Sequence, residues 1–189
     1  MPLIAIVVGF AGGAVMASLI NHIVGWWRRP IIKVELVPDV GCYVTTKRGN
    51  PPTHDAKFLR LRVKNIGNSS IKACRAYVTR ITKRNGGKII NDNQEVVELN
   101  WAHRNSDALD IPVGAFLYLD IVSLDIKYTG GSILSLCVSL LPNNLSGLFS
   151  GPAEFELSLN VACDNARPKN RTVKFTFDPN ESDLDFSFD

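Results

Sequence analysis

The chain has 189 residues, 21 Lys and Arg against 18 Asp and Glu, and a formal net charge of +3. That small excess argues against wholesale nucleic-acid binding. Once an N-terminal apolar run is set aside, the remainder is the size of one domain and long enough to bury a core.

From Leu3 to Trp27 there is no Lys, Arg, Asp or Glu. A helix over this run would be about 37 Å long, enough to cross a hydrocarbon layer of about 30 Å with some tilt. A buried helix of a soluble domain rarely runs so far without a polar stripe. A cleavable signal peptide would begin with a basic segment, and none precedes this run. Trp26-Trp27-Arg28-Arg29 follows it and reads as an interfacial aromatic belt backed by a stop-transfer pair. The sequence thus predicts a transmembrane anchor over residues 1–29. Arg28, Arg29 and Lys33 flank its C-terminal end, so the positive-inside rule puts the N-terminus outside and the folded part in the cytoplasm.

Gly9, Gly13, Ala17, Asn21 and Gly25 recur at every fourth position. Small residues at that spacing let two helices approach closely, and Asn21 and His22 would prefer a partner over lipid. The bilayer is therefore one expected partner, and another integral membrane protein or a second copy of this helix is the other. Glycine and alanine are also simply common in membrane helices.

Pro30 ends the helix, and Ile32, Val34 and Leu36 alternate with Lys33 and Glu35 almost at once, so the linker is only a few residues long. Cys42–Thr46 is a candidate short strand. In Phe58–Ile66, Leu59, Leu61 and Val63 oppose Arg60, Arg62 and Lys64. Ala73–Lys83 returns with Cys74, Ala76 and Val78 inward, then changes parity to bury Ile81, which implies a bulge near Arg80. Asn85-Gly86-Gly87 is a strong turn. Further alternation marks Val97–Trp101, Ala115–Asp125, Ile133–Leu141, Phe155–Val161 and Val173–Phe177. Eight or nine strands and no second helix predict an all-β sandwich or barrel over residues 30–178. Residues 179–189 form an acidic tail, either mobile or lying on a basic face.

The segment from Phe58 to Val78, with its Val63-Lys64-Asn65-Ile66-Gly67 strand end and small-residue turn, resembles the second and third strands of bacterial immunoglobulin-like domains of the cell-adhesion-related type. Asn65 would cap the strand end and Gly67 would take a positive φ. Asp110-Ile111-Pro112-Val113-Gly114 is similar to the lead-in to a later strand of that fold. The resemblance covers about a fifth of the chain. It implies an immunoglobulin-like β-sandwich in a bacterial membrane-anchored protein, placed by the anchor in the inner (cytoplasmic) membrane. It brings no catalytic residues, and the fold hosts adhesion, scaffolding and ligand binding alike.

Little in the chain suggests reaction chemistry. His22, His54 and His103 are not at metal-ligand spacing, and there is no Gly-x-Ser-x-Gly or phosphate loop. Asp120 and Asp125 have odd spacing, so on a regular strand they face opposite sides. No catalytic residue, metal or cofactor is expected, and an enzyme is disfavoured. Cys42, Cys74, Cys137 and Cys163 are widely spaced and, in a cytoplasmic domain, expected to be reduced; the reversed orientation would allow disulfides and give meaning to the sequons at Asn68, Asn144, Asn170 and Asn180. Arg60, Arg62 and Lys64 with Arg75 of the next strand, the expected hairpin partner, form a candidate basic face, for lipid headgroups or an acidic partner, or simply a solvated sheet face. The leading expectation is a non-enzymatic accessory or scaffold subunit of a membrane complex. The alternatives are a sensor of a small anionic ligand and an envelope adhesion or interaction module.

Overall fold

A computed structural model describes residues 15–25, 27–37, 41–49, 53–102, 108–126, 131–181 and 183–188. Helix α1 (residues 15–25) leads into strands β1 (Ile32–Glu35), β2 (Tyr43–Arg48), β3 (His54–Asn65), β4 (Ile71–Asn85), β5 (Lys88–Asn93) and β6 (Val97–Glu98). After these come β7 (Leu109–Ile111), β8 (Phe116–Ile126), β9 (Ser132–Leu136), β10 (Ala153–Cys163), β11 (Ala166–Phe177) and β12 (Asp185–Phe188). The long alternating runs give the long strands. The strands beyond the expected eight or nine are β5, β7 and β12: β5 is exposed along nearly its whole length and so lacks a buried face, and β7 and β12, of three and four residues, are too short for a pattern to announce.

All pairings are antiparallel and fall into two sheets. In the first, β3 is bordered on one side by β1 and β2 and on the other by β8 and then β9. The second runs β12-β11-β10-β4-β5, with β6 and β7 also on β4. The architecture is all-β, two sheets compatible with a β-sandwich. Between them lies one apolar core that includes Leu59, Leu61 and Val63 of the first sheet and Val78, Ile81, Leu157 and Val173 of the second. Burying such side chains supplies the main driving force for the fold, at about 25 cal/mol per Å². Gly86 and Gly87, both at positive φ, turn β4 into β5.

Two bulges set which side chains face out. Between β4 and β10, Arg80 pairs with Ser158 but Val78 with Leu159, leaving Thr79 as the extra residue beside the expected position. Between β3 and β8, Leu59 pairs with Val122 but Arg60 with Asp120, so Ile121 is extra. The second bulge reverses the expected placing of two carboxylates. Asp120 and Asp125 line one cleft with Ser123, because the extra residue restores their parity.

Three further expectations change. Consecutive β3 and β4 are not hairpin partners; the chain crosses between sheets over residues 66–70. Cys74 and Cys163, expected as thiols, form a disulfide that bridges β4 and β10, while Cys42 and Cys137 are free. The acidic tail is part of the domain: β12 pairs with β11, and Leu184 is buried.

Asp183 holds that last segment down. Its carboxylate accepts a hydrogen bond from the Tyr43 hydroxyl at 2.5 Å and pairs with Lys57 Nζ at 2.9 Å. The Tyr43 bond, and then Lys57, hold the Asp183 carboxyl below the usual carboxylate range, although burial opposes them. A depressed folded pKa means the contribution is present above the unfolded value of about 3.9 and is lost as pH falls through the folded value. Amide exchange in β12 is therefore expected to accelerate below about pH 4 while the core strands stay protected. Asp183→Asn should give the faster exchange already at neutral pH; a β12 pH profile that the substitution leaves intact would contradict this.

Candidate membrane-proximal interface

Among the described residues no helix is long and apolar enough to cross a membrane. Residues 1–14 and 26, and with them Gly9, Gly13 and Trp26, lie outside the described residues. What is described of α1 is exposed along its apolar side chains: Val15, Met16, Leu19, Ile20 and Ile23 are all more than half accessible. Ala17 and Asn21 are also exposed on it. A bare apolar helix calls for a cover, whether lipid or protein.

The junction between α1 and the sandwich is packed rather than loose. The Arg28 amide donates to Val24 O at 2.9 Å, closing the last turn. The Asn68 side-chain amide then donates to Trp27 O at 3.0 Å, the Asn68 backbone to Arg29 O at 3.3 Å, and Ile66 to Ile31 O at 2.9 Å. The β3–β4 crossover is thus stitched to the linker. Asn65, fully buried, organises that crossover: its Nδ2 donates to Ser69 O at 2.8 Å and to Ile111 O at 3.0 Å, and its Oδ1 accepts from the Gly67 amide at 3.0 Å. Asn65 caps the strand end as expected.

Gly67 has a different role from the expected one, since it is not among the residues at positive φ. A Cβ there would sit 2.5 Å from Arg29 O, closer still to Ile31 N, and 2.8 Å from Pro30 Cα. The residue is glycine because two backbone segments touch at it. Gly67→Ala must push the linker off the crossover. It is expected to cost about 1–3 kcal/mol in urea denaturation, as overpacking does, and to free the domain to rotate against α1; unchanged stability would show the junction to be soft.

The register gathers an apolar rim at this end. Ile31 precedes β1, Ile66 follows β3, and Val113 and Phe116 flank the start of β8; all four are 44–54% exposed, and Trp27 is 69% exposed. Apart from Trp27, the sequence reading missed them. A usable signal existed: Ile66 and Val113 sit inside turns, next to Gly67 and Gly114, where an apolar side chain has no core to enter.

The candidate basic face is not assembled as one surface. Arg60, Arg62 and Lys64 stand on the outer side of β3, whereas Arg75 is on β4 in the other sheet. Arg60 Nε donates to Asp120 Oδ1 at 2.6 Å with both side chains largely buried. Arg62 pairs with Glu35, and its guanidinium lies 5.5 Å from the Phe116 ring centre. The hydrogen bond from Lys33, together with Arg62, holds the Glu35 carboxyl below its usual range. Arg75 meets Glu98 at 3.4 Å. Three of the four cations are thus neutralised locally, and Lys64 makes no ion pair among the described residues.

A polar cleft of about 530 Å³ on the same sheet is lined by Arg48, Ser123, Asp125 and Cys137 among others. Arg48 already pairs with Asp125 at 2.8 Å, and burial pushes the Cys137 thiol up to about 12, so it is a poor nucleophile. Among the described residues no group of His, Cys, Asp and Glu could hold a metal ion. No protein-family model matches the chain, and a search of curated proteins finds no match.

Proposed function

We propose that the chain is a non-enzymatic, single-pass membrane protein, an accessory or scaffold subunit whose helix packs on another membrane protein and whose β-sandwich is held against the bilayer. The observation that carries this reading is the stitched junction at Asn65–Asn68. A flexible tether would let the domain wander, whereas this one relays the orientation of the helix to the sandwich. The bare apolar side of α1 supports it, as does the uncharged run that precedes it in sequence. An immunoglobulin-like identity is supported by the neighbours β3–β8 in one sheet and β4–β10–β11 in the other, the arrangement of B–E and C–F–G strands. One connection departs from that order: the strand flanking β8 is β9, which follows it in the chain.

Solubilising native membranes in mild detergent tests the proposal. The full chain is expected to need detergent and to migrate in a complex larger than itself. A monomer that stays in solution without detergent would overturn it. The sensor alternative on Arg60, Arg62 and Arg75 is set aside, because each of those guanidiniums already has a carboxylate partner.

A second reading changes only the compartment. The Arg28-Arg29 pair argues for a cytoplasmic domain, but a disulfide inside the fold is characteristic of an oxidising compartment. That favours an envelope interaction module with the sandwich outside. Protease added to intact cells decides between them: digestion of the sandwich establishes the outer side, and protection the inner.

A further inference from the structure

Resting on the membrane-anchored reading, we propose that the groove between the Trp27–Ile32 linker and the β10–β11 turn binds the phosphate headgroup of an anionic phospholipid.

The groove measures about 830 Å³ and is lined on the linker side by Trp27, Arg29 and Ile31 and on the turn side by Arg167 and Lys169. Its floor contains the Gly67 contact, which joins the linker to the crossover, and Asn165 of the turn accepts from the Lys72 amide at 2.9 Å and donates to Ser70 O at 2.9 Å, which ties the other wall to that crossover. The convergence of its charges makes it distinctive. Lys33, Lys47, Arg48, Lys57, Arg60, Arg62, Lys72, Arg75, Arg80 and Arg84 have acidic partners, and the cations outside the groove without one among the described residues, such as Lys64 and Lys88, stand on separate strands. Arg29, Arg167 and Lys169 have none among the described residues, yet they converge on one groove. One carboxylate, Asp164, also lines it and leaves the balance positive.

The apolar contribution matches the same occupant. Trp27, Ile31 and Ile66 are exposed on this rim, beside the cations rather than apart from them. Aromatic and aliphatic side chains at the headgroup level with Arg and Lys among them form the pattern expected where a protein meets a charged lipid surface. Continuity decides the source of the phosphate: the linker that forms one wall is the segment emerging from the proposed anchor, which brings lipid headgroups to the groove at high local concentration.

The test uses the full chain in lipid nanodiscs. Hydrogen–deuterium exchange over residues 164–170 is compared in phosphatidylcholine discs and in discs containing phosphatidylglycerol. Exchange there is expected to slow several-fold with phosphatidylglycerol and to lose that slowing in the R167E/K169E double variant. Equal exchange in both discs, or slowing that survives in the variant, overturns the inference while leaving the anchor intact. Equal slowing by inorganic phosphate added to phosphatidylcholine discs overturns the lipid source. A chain that does not enter discs at all overturns the inference and the anchor together.

Discussion

Replacing Cys74 and Cys163 together by alanine is expected to lower unfolding stability by about 2–5 kcal/mol, the range for removing a native disulfide from a small domain. The bond joins residues 89 apart in sequence, so it closes a long loop and removes much of the freedom of the unfolded chain. It ties β4 to β10 in the middle of the second sheet, one residue beyond the last paired positions Arg75 and Ala162. Reductant should shift the urea midpoint of the wild-type chain to that of the variant and leave the variant where it is. A wild-type midpoint insensitive to reductant would refute the bridge. Thiol counting gives an independent measure: alkylation of the denatured, unreduced chain should modify Cys42 and Cys137 alone, and all four cysteines after reduction. In the native state both free thiols are held above their usual pKa by burial and should react slowly.

Asn65→Ala is expected to cost about 3–5 kcal/mol. The substitution strands a buried amide at Gly67 and removes the donors that satisfy Ser69 O and Ile111 O. Each buried group left without a partner costs about 1–3 kcal/mol, more than the bond itself contributes net. Asn65→Asp separates the two halves of the role. It keeps an acceptor for the Gly67 amide but points a carboxylate at two carbonyl oxygens. Its folded pKa should be raised, so the aspartate variant should be less stable as pH rises through that value and recover partly in acid. A loss under about 1 kcal/mol in the alanine variant would mean that water replaces the side chain and that the crossover is not organised by Asn65.

Both substitutions act on features with unequal visibility in the sequence. Asn65 was legible as a strand cap because a short amide beside a turn has few other uses. Gly67 was legible as a required glycine, but for the wrong reason: local rules suggest a positive φ, and only the approach of Arg29 and Ile31 from 38 and 36 positions away supplies the true one. The partnering of Cys74 with Cys163 was equally out of reach, since four cysteines allow three full connectivities and a compartment argument chose none of them.

What the sequence determined by itself is the set of properties written in neighbouring residues: an uncharged N-terminal run, a short linker, long strands with period two, a bulge beside Arg80, and the Asn85-Gly86-Gly87 turn. These follow from backbone geometry and solvent contrast, which act over a few residues. The tertiary structure alone decided that β3 and β4 part company between two sheets and that the extra Ile121 brings Asp120 and Asp125 to one side. It also decided that the acidic tail closes a sheet edge and that carboxylates from distant strands quench the apparent basic face. Each of those depends on which strand lies beside which. That choice is made by burial of the whole apolar core, and no short stretch of residues encodes it.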